Sequence, residues 1–137
     1  MTTTTEHLDA AKTAVQAECN QVLDAFMEAL NAHDSTRMDA CMHFPHIRFA
    51  ENSVKVYDAA GSNPMDLFTR LQADDGWSYS RWESHEVIQY DKSKAHVALS
   101  YTRFRADHSV IRVYESLYVM TRNDGRWGIQ ARSSFGP

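Results

Sequence analysis

The sequence predicts an α+β domain in which helices from the N-terminal half pack on one face of a curved antiparallel sheet. In the first third of the chain, apolar residues recur at steps of three and four, which is typical of an amphipathic helix. The second half contains four strand-like segments, and in the last three of them apolar residues occupy every second position. Because the helical patterns precede the long strands, the helices and most of the sheet are separate along the chain.

Three helices are predicted, and the first is the longest. It runs from about Thr5 to Ala32, and Asp34 or Thr36 can cap a short second helix that ends near Met42. The first helix presents an apolar stripe formed by Leu8, Ala11, Val15, Cys19, Val22, Phe26 and Leu30.

The third helix follows a small predicted hairpin formed by residues 43–50 and 54–57. Asn63 is a suitable N-cap, Pro64 occupies the first helical position, and Asp75-Gly76 ends the helix. The hairpin and the third helix therefore separate the first two helices from the long strands.

Turn residues predict how the long strands pair. Asn123-Asp124-Gly125 is interpreted as a three-residue loop with Gly125 in the left-handed region, and Asp107-His108-Ser109 as the loop of the preceding hairpin. With these loops, Arg132 faces outward and the covered face carries Val97, Leu99, Tyr101, Arg103, Val113, Glu115, Leu117, Val119, Trp127, Ile129, Ala131 and Ser133. Residues 91–94 form the loop before these, which puts Glu86 on the covered face unless its strand carries a bulge.

A polar group interrupts the covered face at one end of the predicted sheet. Arg103 and Glu115 are diagonal neighbours, and buried charges must pair with each other or with a ligand. Tyr101 and Ser133 flank them, and the indole of Trp82 can stack on the guanidinium. The alternative is a solvated cluster at the edge of the sheet. If the group lines a cavity, Arg103 favours an anionic or carbonyl-bearing ligand.

Composition narrows the class of protein. A chain of 137 residues with 43% hydrophobic content predicts a single domain over residues 1–137, with residues 1–5 flexible. The net charge of −4 and the scattered Lys and Arg argue against nucleic acid as a partner. The chain has no signal-peptide pattern or membrane-spanning apolar run, so we expect a cytoplasmic protein in which Cys19 and Cys41 are free thiols.

Three segments give the chain a specific resemblance: residues 43–48 (HFPHIR), residues 115–121 (ESLYVMT) and residues 124–129 (DGRWGI). Over residues 6–135 the chain resembles the nuclear transport factor 2-like (SnoaL-like) superfamily, as an uncharacterised member. The resemblance implies a cone-shaped, cystatin-like fold with a cavity between sheet and helices, and a homodimer formed through the sheet. We expect the dimer to use a polar and aromatic sheet face formed by Ser100, Thr102, Tyr114, Ser116 and Tyr118.

His46 is the candidate catalytic residue. It follows Pro45, which interrupts the hydrogen bonds of a strand and favours an edge or a bulge. His46 is interpreted either as a general acid or base or as a structural residue bonded to its surroundings. His43 is expected to cap the preceding helix. In an extended segment the two histidines point to opposite faces, so no metal site and no cofactor are predicted.

Two functions of different classes follow. The first is a binding domain that holds a small, mostly apolar molecule with a polar or anionic end. The second is a cofactor-independent acid–base enzyme of the isomerase, dehydratase or polyketide cyclase type, with His46 as proton shuttle opposite Tyr101 and Arg103. The catalytic residues of the superfamily's ketosteroid isomerases have no residue-by-residue match in this sequence. The enzyme hypothesis requires His46 and Tyr101 to face one cavity.

Overall fold

Three helices pack on a six-stranded sheet in the computed structural model of the protein, which describes residues 4–50, 52–61 and 67–135. This arrangement confirms the predicted α+β class. The elements are the helices α1 (Thr4–Asn31), α2 (Ser35–Ala40) and α3 (Leu67–Asp75) and the strands β1 (Met42–Phe49), β2 (Val54–Tyr57), β3 (Trp77–Tyr90), β4 (Lys94–Arg105), β5 (Val110–Asn123) and β6 (Arg126–Ser134).

The sheet is mixed, which corrects the prediction of a purely antiparallel sheet. Its strand order is β2-β1-β6-β5-β4-β3, and β1 runs parallel to β6 while the other neighbours are antiparallel. The first hairpin of the chain therefore extends the sheet beside the last strand. Pro45 lies where the register between β1 and β6 breaks, in an inner strand of the sheet.

The helix boundaries agree closely with the sequence pattern where the structure describes them. The Asp34 side chain caps α2 by accepting a hydrogen bond from the backbone N–H of Arg37 at 3.1 Å. Gly76 ends α3 with a positive φ of 71°. The predicted cap of α3 at Asn63 and Pro64 lies outside the described residues. Residues 1–3, which belong to the segment expected to be flexible, also lie outside the described residues.

The hydrophobic core lies between α1 and the inner face of the sheet. It is centred on the fully buried side chains of Cys19, Leu23, Val97, Met120 and Ile129. Cys19 and Cys41 are free thiols, as predicted, and burial raises the pKa of Cys19 to about 11. Among the described residues, no helix combines the length and the hydropathy needed to cross a membrane.

The pairing of β4 with β5 differs by one residue from the prediction. Leu117 lies opposite Ala98 rather than Leu99. The loop comprises residues 106–108, one position earlier than predicted, which by itself moves the pairing by two residues, and the register break between Arg103 and Phe104 reduces this shift to one. His108 takes the left-handed conformation with φ of 70°. A shift of one residue exchanges the two faces of a strand, so the side that faces the core carries Tyr114, Ser116, Tyr118 and Met120.

The last hairpin also turns more tightly than predicted. Its loop is Asp124-Gly125 alone, with φ of 54° and 75°, as a two-residue type I′ turn requires. Gly125 is left-handed as predicted, but the shorter loop and a register break between β5 and β6 reverse the faces of the end of β6. Arg132 and Ser134 therefore point to the inside, whereas Ser133 is exposed; the predicted orientations of Arg132 and Ser133 are wrong.

The hairpin of β3 and β4 turns at residues 91–94, as predicted. Its register breaks at three places along β3, so the bulged alternative is correct. Glu86 is consequently exposed and pairs across the sheet with Ala98.

Two side-chain amides of α1 bond to the backbone of β3, which forms one edge of the sheet. Asn31 accepts a hydrogen bond from the Ser80 N–H at 2.8 Å and donates one to the Ser80 carbonyl at 2.9 Å. Gln16 accepts one from the Val87 N–H at 2.7 Å and donates one to the His85 carbonyl at 3.4 Å. The long helix is thus fixed to this edge at two points.

The outer face of the sheet carries exposed apolar side chains. Phe49 of β1 pairs with Val54 of β2, and Leu117 of β5 pairs with Ser133 of β6. The large apolar side chains exposed on these strands include Phe49, Val54, Val56, Val113 and Leu117, and Val110 at the start of β5 is exposed as well. Because Tyr114, Ser116 and Tyr118 lie on the inner side, the predicted polar and aromatic outer face is wrong for those three residues.

Candidate functional site

A cavity lies between the helices and the inner face of the sheet. The volume open to the centre of a water molecule is about 60 Å³. One water molecule needs roughly 10–15 Å³ on this measure, so the space suits a compact molecule. On the helix side the lining residues are Phe26, Met27, Leu30, Met38, Arg70 and Leu71.

The charged residues found in the described part of the cavity lining have one sign. Five are basic, and no Asp or Glu is found among the described residues of the lining. Positive charges gathered around a cleft attract anions into it, so the lining favours negative charge inside the cavity. The basic residues are Arg48, Lys55, Arg70, Arg103 and Arg132.

Aromatic rings form a wall of the cavity. Trp82 meets Tyr101 and Tyr118 edge to face, with ring centres 6.1 and 6.0 Å apart, and Tyr118 meets Phe26 in the same way at 6.5 Å. Trp82 is fixed by a 3.0 Å hydrogen bond from its indole N–H to the carbonyl of Leu23. The wall is therefore rigid and apolar, with tyrosine hydroxyls as polar points.

Arg132, which was predicted to face outward, is held on the inside by His46, a contact that was not predicted. Its Nε donates a hydrogen bond to Nε2 of His46 at 2.9 Å, and Nδ1 of the same ring lies 2.9 Å from the carbonyl oxygen of Ile129. Because arginine only donates, Nε2 must accept, and Nδ1 must carry the proton and donate to the carbonyl. His46 is therefore a neutral imidazole of one defined tautomer.

The surroundings keep His46 uncharged. Burial, followed by the charge of Arg132, lowers its pKa to about 4. Its side chain is fully buried and is not part of the cavity lining, whereas Tyr101 is. His46 and Tyr101 therefore do not face one cavity, as the enzyme hypothesis requires. The contacts of His46 with Ile129 and Arg132 are those expected of a structural residue.

His43 is also held within the protein rather than aimed into the cavity. Its Nδ1 lies 2.8 Å from the Thr121 hydroxyl, and its ring packs against Gly128. Burial lowers its pKa. Its partners lie on the last hairpin rather than on α2, so the expectation that it caps the helix is wrong.

Tyr118 contributes a neutral hydroxyl next to Arg132. Burial raises its pKa to about 12, although the charge of Arg132 acts in the opposite direction. Burial in turn lowers the pKa of Arg132. At neutral pH this pair consists of a protonated phenol and a cation, which suits it to donate hydrogen bonds to an oxyanion.

Three of the predicted ligand-binding residues line the cavity: Trp82, Tyr101 and Arg103. Arg103 is 6% exposed, and its guanidinium carbon lies 4.6 Å from the ring centre of Tyr114 and 5.9 Å from that of Tyr101. Arg103 thus stacks on tyrosine rings rather than on Trp82.

The other two predicted residues lie elsewhere. Glu115 pairs with Ser100 across the strands and is exposed, and Ser133 is exposed as well. The predicted buried pair of Arg103 and Glu115 does not form, because the shifted register puts the two side chains on opposite faces.

A family model described as NTF2-like protein (DUF6841) matches residues 17–134. A comparison with curated proteins gives no match.

Solved structures of the same fold share little sequence with this chain. An NTF2-like protein with a cystatin-like fold from Novosphingobium aromaticivorans is 14% identical with a TM-score of 0.74, covering 98% of this chain and 90% of that one. A protein of unknown function with a cystatin-like fold from Nostoc punctiforme is 11% identical with a TM-score of 0.71, covering 87% and 88%. A protein from Catenulispora acidiphila in complex with S-DNPA is 13% identical with a TM-score of 0.70, covering 89% and 92%. These similarities concern the fold.

Proposed function

Because this chain belongs to the NTF2-like protein family (DUF6841), we propose that it is a binding domain whose cavity holds a small, mostly apolar molecule with an anionic end. The observation that carries this proposal is the lining, in which basic residues and aromatic rings occur together without a described carboxylate. Ligand sites are mostly apolar with a few polar groups that fix orientation. The structure from Catenulispora acidiphila, which is described in complex with S-DNPA, supports a binding role for a chain of this fold.

Binding is favoured over acid–base catalysis by the state of His46. A proton shuttle needs a pKa near the working pH and access to the ligand. The pKa of His46 is about 4, and both ring nitrogens are engaged, one with Ile129 and the other with Arg132. His46 instead orients Arg132, which makes it a positioning residue in the proposed site.

Matched acids and amides test the proposal. Benzoate, phenylacetate and cinnamate would be titrated into the protein by calorimetry, each beside its neutral amide. We expect at least one acid to bind, and each acid that binds to do so more tightly than its amide, because only the acid offers a charge to the basic lining. Amides that bind as tightly as the acids, or a panel in which no acid binds, would contradict the proposal.

Filling the cavity from β6 is expected to abolish binding. Ser134 lines the cavity, and its hydroxyl lies 2.6 Å from that of Ser116, so Ser134→Phe puts a ring into the space. We expect about a tenfold or greater loss of affinity for the tightest acid of the panel, equivalent to roughly 1.4 kcal/mol, by calorimetry.

Ser84→Phe is the matched control for this substitution. Ser84 also bonds to a serine hydroxyl, that of Ser100 at 3.0 Å, but it is exposed and does not line the cavity. The control should bind the acid as the unmodified protein does. Equal losses in the two variants would show that the effect is not due to the cavity.

We also propose that the chain forms a homodimer through the outer face of the sheet. The support is the apolar character of that face, where Phe49 of β1 and Val113 and Leu117 of β5 are 45%, 53% and 39% exposed on the two strands that flank β6. Several large apolar side chains exposed on one face are unfavourable in water and are typical of an interface.

Leu117→Asp is expected to shift the protein from dimer to monomer, because it would place two carboxylates in the proposed apolar interface. Ala17→Asp, on an exposed position of α1, makes the same change in charge away from the sheet and should leave the dimer intact. Light scattering at micromolar concentration measures both. A parent protein that is already monomeric would contradict the proposed dimer.

A further inference from the structure

We propose that the anionic end of the ligand is a doubly charged oxyanion, a phosphate monoester of a small apolar or aromatic alcohol. We place this group at a row of three cations formed by Lys55, Arg48 and Arg132, which we name the cation row. This inference rests on the proposed binding function and specifies the ligand class and its position in the cavity.

The cation row follows from the register of three adjacent strands. Arg48 of β1 lies directly opposite Lys55 of β2 on one side and opposite Arg132 of β6 on the other. All three side chains line the cavity. Neighbouring strands are about 4.8 Å apart, so three positive charges stand side by side on one face.

Such a row is unfavourable in the empty protein. Like charges directly opposite each other on neighbouring strands destabilise a sheet. None of the ion pairs found within the described part of the chain includes Arg48, Lys55 or Arg132. All three are partly buried, which reduces the screening of their repulsion by water. A local arrangement that costs stability in this way is typical of a functional site, where a ligand supplies the missing charge.

The chemistry of the row fits a phosphoryl group better than a carboxylate. A carboxylate would neutralise one of the three charges, whereas a phosphate monoester brings nearly two and has three acceptor oxygens. Arginine donates paired hydrogen bonds to such oxygens, and lysine adds a point charge.

The neighbours of Arg132 prepare it for this contact. Its Nε donates to His46 and its side chain also bonds to the Tyr118 hydroxyl, so the remaining guanidinium N–H groups are the ones that can contact a ligand. Tyr118 lies opposite Arg132 in the next strand and lines the same cavity, where its phenol can donate to the same oxyanion. Beyond the row, Phe26, Met27 and Leu30 offer an apolar surface for the organic part of the ligand.

Phenyl phosphate and benzoate distinguish the two kinds of anion, because they share a ring and differ in charge. Both would be titrated by calorimetry at about pH 7.5, where a phosphate monoester with a second pKa of about 6 is doubly charged. We expect phenyl phosphate to bind at least about tenfold more tightly than benzoate. Equal or tighter binding of benzoate would overturn this inference and leave the proposed function standing. Benzamide binding as tightly as both anions would overturn the proposed function itself.

Arg48→Met tests the position of the site, with Arg122→Met as the control. Arg122 is exposed near the end of β5 and does not line the cavity, so its substitution changes the net charge equally. We expect Arg48→Met to weaken phenyl phosphate binding about tenfold or more and to raise the melting temperature of the unliganded protein, since it relieves the repulsion. Lys55→Met should change both quantities in the same directions. Unchanged affinity in both row variants, or the same loss in the Arg122 variant, would overturn the inference.

Discussion

Replacing His46 with leucine is expected to lower the free energy of unfolding by about 3 kcal/mol at neutral pH. The imidazole is fully buried and provides the partner for both the Ile129 carbonyl and Nε of Arg132. Leucine fills a similar space but leaves both groups without a hydrogen bond, and the arginine also carries a charge. Urea denaturation of the parent and the variant measures the difference.

The pH dependence of stability gives an independent measure of the same residue. The pKa of His46 is about 4 in the folded protein and near 6.5 when exposed in the unfolded chain. As the pH falls below 6.5, the unfolded chain takes up the proton first, so folding stability decreases until the pH reaches about 4. The expected contribution is about 3 kcal/mol across this window, at roughly 1.4 kcal/mol per pH unit.

His46→Leu should therefore flatten the stability curve between these two pH values, as well as lowering it at neutral pH. His96→Leu is the control, because His96 bonds to the Gln89 side chain at 2.8 Å in an exposed position. It should have a small effect on stability and keep the slope. A curve for His46→Leu that remains as steep as that of the parent would contradict the assigned pKa.

Gly128→Ala is expected to lower the free energy of unfolding by about 2 kcal/mol through overcrowding. A Cβ atom at this position would lie 2.9 Å from Cγ, Cδ2 and Cε1 of the His43 ring. Nδ1 of that ring is fixed at 2.8 Å from the Thr121 hydroxyl, so the ring cannot move away without breaking this contact. Thermal and urea denaturation measure the loss.

A double-mutant cycle with His43→Ala tests the cause. Removing the ring opens the space that the new methyl group needs, so Gly128→Ala should cost much less in the His43→Ala protein. Equal costs in the two backgrounds would show that the glycine is required for another reason.

The order and boundaries of the elements were predictable because they depend on local signals. Asp34 caps the start of α2 and Gly76 ends α3, and both act through contacts within a few residues. The parallel pairing of β1 with β6 has no such signal, because it joins segments that are distant in the chain. Only the resemblance to the superfamily anticipated how the sheet would be completed around a cavity.

The prediction of which β5 side chains face the core was wrong for a physical reason. Alternation of apolar residues favours burial of Val113, Leu117 and Val119, which are more apolar than Tyr114 and the other residues between them. The inner side of β5, however, carries Tyr114, Ser116 and Tyr118, of which Tyr118 lines the cavity, while Val113 and Leu117 on its outer side are exposed. The usual relation between hydropathy and burial is thereby reversed over residues 113–118, whereas the apolar Met120 is fully buried.

The candidate site was predicted only in part, because some of its strands follow the ordinary alternation and others do not. Tyr101 and Arg103 were correctly placed on the inner face because β4 follows the ordinary alternation, and Trp82 of β3 lines the same cavity. Arg132 was missed because its orientation depends on a two-residue turn and on a register break beyond it. Asp-Gly in a hairpin loop favours the tighter type I′ turn, and this signal was available in the sequence.

The amide contacts between α1 and β3 bear on the risk of aggregation. An edge strand offers unpaired backbone groups to which a strand of another molecule can add. Asn31 and Gln16 occupy such groups of Ser80, His85 and Val87 with side chains that imitate the hydrogen bonding of a neighbouring strand. Strand addition at these positions would first require α1 to detach from the sheet. The helix that covers the hydrophobic core thus also hinders open-ended polymerisation at this edge.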